Sequence, residues 1–142
     1  LLMHGVIDRE EVVFSVICDG VGGLQKGEVA SADVIMAFSS WFRQSLSGVI
    51  SAGCVDPNKL QTAWRDIIAQ RDDAISRYGA HGSFNLGTTI TGILIYNGQY
   101  FAVNVGDSRV YLLADRLYQI THDHTVVQEK LDKGEITLEQ SR

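Results

Sequence analysis

Thr88-Thr-Ile-Thr-Gly-Ile-Leu-Ile-Tyr96, then Asn97-Gly98, then Gln99-Tyr-Phe-Ala-Val-Asn-Val105 is the stretch that decides the fold. Two β-branched, aromatic-rich runs meet at Asn-Gly, the pair that best tolerates the positive φ angles of a type I′ turn, so residues 88–96 and 99–105 are predicted to form a β-hairpin. Downstream, Gly106-Asp107 reverses the chain again, residues 109–113 read as a third strand, and residues 117–120 as a fourth after a short turn at Asp115. A four-stranded β-meander is therefore expected. Upstream the period is helical: Asp56-Pro57 reads as an N-cap followed by proline at the first helical position. Leu60, Trp64, Ile67, Ile68, Arg71, Ile75 and Tyr78 then fall on one stripe, with Gly79 as the stop. An earlier helix carries Val34, Phe38, Trp41 and Phe42, with Glu28 placed in its favourable first turn. Before it, Glu11-Val-Val-Phe-Ser-Val-Ile-Cys18 is apolar on both faces, as a buried strand is. At the far end residues 126–133 read as a short helix closed by Gly134, and Thr137-Leu-Glu-Gln140 has the pattern of a capping box. Strand, two helices and an antiparallel meander point to layered α and β structure with an antiparallel sheet, not to a parallel βαβ fold.

Composition narrows the function classes. The 142 residues, 45% apolar and 20% charged with fourteen glycines and a single proline, describe an ordinary globular chain without repeats or low-complexity linkers. Twelve Lys and Arg against seventeen Asp and Glu give a net charge of -5, which disfavours nucleic acid as a partner. No apolar run approaches the roughly 20 residues of a membrane helix. Cys18 and Cys54 form neither a disulfide framework nor a zinc spacing, and a cytoplasmic location is expected.

The chemistry is concentrated in Asp19-Gly20-Val21-Gly22-Gly23-Leu24-Gln25-Lys26-Gly27-Glu28. Three glycines in four positions after a buried strand mean a close backbone approach or unusual dihedrals. A dinucleotide loop starting at Gly20 fails because position 25 is Gln. A P-loop starting at Gly22 fails because Glu28-Val29 stands where Lys and Ser or Thr are required. What remains is a carboxylate, Asp19, beside a loop rich in exposed carbonyls, a combination suited to Mg²⁺ or Mn²⁺; the simpler reading is an Asp that caps its own turn. Asp107 occupies an equivalent strand end, and the pair suggests a two-carboxylate metal site at one edge of the sheet.

Taken in order, Asp19-Gly20-Val21-Gly22-Gly23 with Gly27-Glu28 and Ala30-Ser31, Gly87-Thr88-Thr89, Gly106-Asp107-Ser108-Arg109-Val110 and Thr121-x-Asp123-His124-Thr125 resemble the metal-dependent Ser/Thr protein phosphatases of the 2C type, in their bacterial form. The resemblance implies an α+β fold, an antiparallel β-sandwich flanked by helices (αββα layers), incomplete here. It implies a single partial catalytic domain over residues 1–142, with residues 125–142 starting the flap beside the active site. It implies two or three Mn²⁺ or Mg²⁺ ions, a water or hydroxide bridging two of them that attacks phosphoserine or phosphothreonine directly, and phosphorylated proteins as substrates. Asp19 then resembles the bridging carboxylate and catalytic metal ligand, Gly20 the backbone-carbonyl ligand, and Asp107 the acid of a third, weaker metal. Val21 stands where some relatives carry a histidine proposed as general acid, which leaves protonation of the leaving serine to a metal-bound water.

The resemblance also has gaps. The family's opening arginine motif would lie before Leu1, and two further metal-binding aspartates beyond Arg142. The chain is therefore expected to be an N-terminal and central piece, inactive and weakly metal-binding alone, with exposed sheet edges through which it self-associates. The rival readings are a phosphatase-like binding module without catalysis and a carboxylate-metal phosphohydrolase of small molecules. Elsewhere, Arg109 reads as a structural brace, His122 and His124 as solvated or hydrogen-bonding, Trp41 and Trp64 as core, Asp72-Asp73 as a solvated helix face, and Cys18 as a buried small hydrophobe rather than a nucleophile.

Overall fold

The computed structural model describes residues 1–21, 24–137 and 139–140. In chain order the strands are β1 (Leu2–Ile7), β2 (Glu10–Ile17), β3 (Gly20–Val21), β4 (Ile50–Ser51), β5 (Cys54–Val55), β6 (Gly87–Thr88), β7 (Ile90–Tyr96), β8 (Gln99–Val105), β9 (Tyr111–Leu113) and β10 (Leu117–Gln119). The helices are α1 (Leu24–Gln44), α2 (Pro57–Gly82) and α3 (Val126–Asp132).

The main sheet is antiparallel, in the order β1-β2-β7-β8. Asn97 (φ 46°) and Gly98 (φ 72°) close the β7–β8 hairpin as expected. A second hairpin was not expected: β1 folds onto β2 through Asp8 (φ 52°) and Arg9 (φ 71°). Arginine is an unusual occupant of that backbone region, so the turn carries no ordinary sequence signal.

Alternation along β2 sends Val12, Phe14 and Val16 to one face, where each is at most 1% exposed. Both long helices cover this face. Phe14 is central: its ring centroid lies 5.7 Å from Phe38, 5.6 Å from Trp41, 6.1 Å from Phe42 and 6.0 Å from Trp64. Burial of a side chain of this kind contributes about 2–3 kcal/mol. The two tryptophans are core residues, edge to face at 5.8 Å.

The helix boundaries differ from expectation in two places. Asp56 does cap α2, its Oδ1 accepting from the amides of Asn58 (3.0 Å) and Lys59 (3.2 Å), but the helix continues to Gly82 and ends on left-handed Ser83. Gly79 is therefore not the stop; a Cβ there would sit 2.7 Å from the Phe84 carbonyl oxygen, so glycine is needed for the chain to fold back on the helix. Helix α1 begins at Leu24, which places Glu28 beyond the first turn rather than in it. On the α2 stripe, Tyr78 is 52% exposed and rests edge to face on Phe84, while Arg71 reaches Asp33 of α1 at 3.3 Å.

The expected meander divides. β7 and β8 belong to the main sheet, whereas β9 and β10 form a separate two-stranded ribbon. Gly106 (φ 105°) turns the chain off the sheet, and the Asn104 side-chain Nδ2 donates to the carbonyls of His122 (2.8 Å) and Gly106 (3.3 Å), holding the returning strand end there instead. The result is an incomplete α+β fold: one antiparallel sheet with its helical layer. The opposite sheet face is open, with Leu2 72%, Val6 64% and Ile95 44% exposed.

Candidate metal centre

Asp19 stands two residues beyond the end of β2, after Cys18, where the chain leaves the sheet. Its backbone is fixed at both ends: the Asp19 amide donates to Thr89 Oγ1 at 3.0 Å, and the Asp19 carbonyl accepts from the Thr89 amide (2.9 Å) and Thr88 Oγ1 (3.2 Å). The side chain is exposed, and among the described residues no group hydrogen-bonds its carboxylate. Asp19 is an exposed carboxylate on an anchored backbone.

The glycine loop is explained in part by an intramolecular contact. Gly20, in β3, pairs with Thr88 of β6 and lies against Gly27 of α1. A Cβ on Gly20 would be 2.1 Å from the Gly27 carbonyl oxygen, and one on Gly27 would be 2.6 Å from the Gly20 carbonyl. The close approach foreseen for this loop is made by the start of the helix itself. Gly22 and Gly23 lie outside the described residues. Val21 is 64% exposed and has no proton to give.

Asp107 is exposed on the turn after β8, next to Gly106. Ser108 Oγ lies 3.3 Å from Thr89 Oγ1, so the chain from the Asp19 amide through Thr89 to Ser108 joins the two acid-bearing loops. The structure therefore brings Asp19, Gly20 and the Asp107 loop to one end of the sheet. Thr89 and Ser108 were not singled out from sequence, where they appeared only as members of short motifs.

Arg109 is the brace it was read as. Its Nε donates to both carboxylate oxygens of Asp123 (2.8 and 3.0 Å) and its Nη2 to Oδ2 (2.6 Å). Asp123 is 8% exposed, and the Arg109 guanidinium, assisted by the Gln119 amide, holds its carboxyl below the usual range against the opposing effect of burial. Two bonds beside the pair close the same region: the Val110 amide to Thr121 Oγ1 (2.9 Å) and the His124 amide to the Gly106 carbonyl (2.8 Å). His122 Nε2 meets Asp132 of α3 at 2.8 Å, a hydrogen-bonding histidine. Thr125 caps α3 by accepting from the Gln128 amide (3.0 Å). Thr137 and Gln140 exchange the two bonds of a capping box, although Leu138 between them lies outside the described residues. Cys18 is half-buried and its thiol is pushed up to about 11 by burial, which leaves it protonated and inert.

Two exposed carboxylates and backbone carbonyls are hard oxygen donors, the kind that Mg²⁺ and Mn²⁺ take. They fit in kind but are few: among the described residues no three His, Cys, Asp or Glu side chains gather closely enough to hold an ion.

Comparison with known proteins bears on this arrangement. The family described as Protein phosphatase 2C matches residues 4–130. The chain is 38% identical over 130 residues to the serine/threonine protein phosphatase PstP of Mycobacterium tuberculosis, covering 88% of this chain and 23% of that protein. It is 32% identical over 136 residues to the serine/threonine phosphatase stp of Listeria monocytogenes, covering 93% of this chain and 50% of that one. The chain therefore spans about half or less of the length of the curated relatives it matches. Among solved structures it is similar to the catalytic domain of PstP in complex with two manganese ions, with a TM-score of 0.65, 32% identity, and coverage of 99% of this chain and 56% of that one.

Proposed function

This chain belongs to the protein phosphatase 2C family, and from that premise we propose that the protein is a bacterial Mn²⁺- or Mg²⁺-dependent phosphatase acting on phosphoserine and phosphothreonine in proteins. The observation that supports the reading is that two exposed acids, Asp19 and Asp107, stand on loops joined through Thr89 and Ser108. Divalent ions, when bound, acidify water and neutralise the charge that develops on phosphate. The Asp19 carboxylate and the Gly20 carbonyl would hold such ions, and Asp107 would hold a further, weaker one. The anchored Asp19 backbone supplies the rigidity such a ligand needs, because only its side chain is left to move. Val21 holds no proton, so the leaving serine or threonine oxygen takes one from water at the site. Arg109 is committed to Asp123 and is assigned no part in phosphate binding.

Residues from Thr125 onward, α3 included, are placed as the start of the flap, hung from the site by the His122–Asp132 contact. A cytoplasmic location is supported by two free thiols, Cys18 and Cys54, and no helix among the described residues is long and apolar enough to cross a membrane. Because the donors are few, the 142-residue chain alone binds metal weakly and does not turn over. The test is phosphate release with Mn²⁺ from a phosphothreonine peptide, compared with nucleotides. The full-length gene product should prefer the peptide, lose activity with Asp19→Asn, and leave the 142-residue chain inactive. Preference for nucleotides, or an active Asp19→Asn variant, refutes the assignment.

A further inference from the structure

Thr89 touches both acid-bearing loops, and with different atoms. Its hydroxyl oxygen accepts the Asp19 amide at 3.0 Å and meets Ser108 Oγ at 3.3 Å. Its methyl lies where a side chain on Gly106 would be: a Cβ on that glycine would come within 2.7 Å of Thr89 Cγ2. Gly106 also needs glycine for its φ of 105°, so the turn that presents Asp107 can rest against the methyl at no steric cost. We propose that Thr89 is the positioning residue that sets the Asp19 and Asp107 loops against each other, its hydroxyl gripping one and its methyl buttressing the other.

The hydroxyl count supports a shared role. One lone pair of Oγ1 takes the Asp19 N–H, which leaves one proton and one lone pair, and either satisfies Ser108. The Thr89 backbone amide adds a second tie to Asp19 at 2.9 Å. Serine at 89 would keep the grip and lose the buttress, and valine would do the reverse. This division makes the two functions separable. The consequence for metal binding rests on the reading of Asp19 and Asp107 as ligands; the coupling of the loops does not.

The test begins on the metal-free chain, with amide hydrogen exchange followed by NMR. Thr89→Val should speed exchange of the Asp19 amide about fivefold, the loss of one hydrogen bond, and leave the His124 amide, which donates to Gly106, near its original rate. Thr89→Ser should reverse the pattern, and Ser108→Ala should loosen both amides to a smaller degree. Mn²⁺ titration of the same proteins should then show weaker binding in both Thr89 variants, by about threefold or more on the same hydrogen-bond scale, although neither removes a ligand. In the two Thr89 variants, exchange at Asp19 and His124 that responds together or not at all overturns the division of roles. Unchanged Mn²⁺ affinity with altered exchange reduces Thr89 to a structural residue and overturns the positioning claim. Wild-type protein that binds no Mn²⁺ near Asp19 defeats the metal reading instead, and the exchange pattern still decides the coupling.

Discussion

Gly20 and Gly27 meet backbone to backbone, and neither position has room for a β-carbon. β3 is thereby pressed onto the start of α1. Gly20→Ala should cost about 3 kcal/mol, since the obstructing atoms are main chain and cannot rotate away. Urea unfolding checks this, and an unchanged midpoint contradicts it.

The Arg109–Asp123 pair ties stability to acid pH. Arg109 lowers the folded-state pKa of Asp123, whose ordinary value is about 3.9, so the pair's contribution is whole above that value and disappears as pH falls through the lowered one. Thermal unfolding from pH 7 to pH 2 should show a falling Tm at the acid end. Asp123→Asn should lower Tm at pH 7 by several degrees and flatten that acid limb. A variant with an undiminished acid limb shows that other carboxylates dominate.

The open sheet face carries Leu2, Val6, Ile17, Ile95 and Tyr100, each at least 44% exposed, with His4, Glu11 and Ser15 among them. Exposed apolar surface draws partners, and we propose that for this chain in isolation the partner is a second copy. Sedimentation should show concentration-dependent self-association that Val6→Lys with Ile95→Lys abolishes. Identical behaviour of wild type and variant locates the contact elsewhere.

How much of this was legible in sequence depends on whether the determining residue advertises its role. Asn97-Gly98 and Asp56-Pro57 did, because each pair is chemically suited to one backbone geometry. Asp8-Arg9 adopts the same kind of turn with an ordinary residue, held by the six-residue pairing of β1 with β2, and so the hairpin was hidden. Gly79 looked like a helix stop because glycine has two uses, freedom of φ and absence of bulk, and only the packed structure shows the second. The acids of the site were visible as Asp at strand ends. The hydroxyls that fix them were not, because Thr89 acts on Asp19 across 70 positions of sequence. The split of the meander was hidden for the same reason: Asn104 holds His122, eighteen positions away.

The central claim is that Asp19, Gly20 and Asp107 form one divalent-cation site, and Mn²⁺-induced broadening of amide NMR signals in the 142-residue chain tests it most directly. The account predicts that signals at Asp19, Gly20 and Asp107 broaden together as Mn²⁺ is added, and that Asp19→Asn removes the effect at Asp107 as well as at its own loop. Broadening centred on Asp72 and Asp73 of α2, or broadening at Asp107 indifferent to Asp19→Asn, would contradict it.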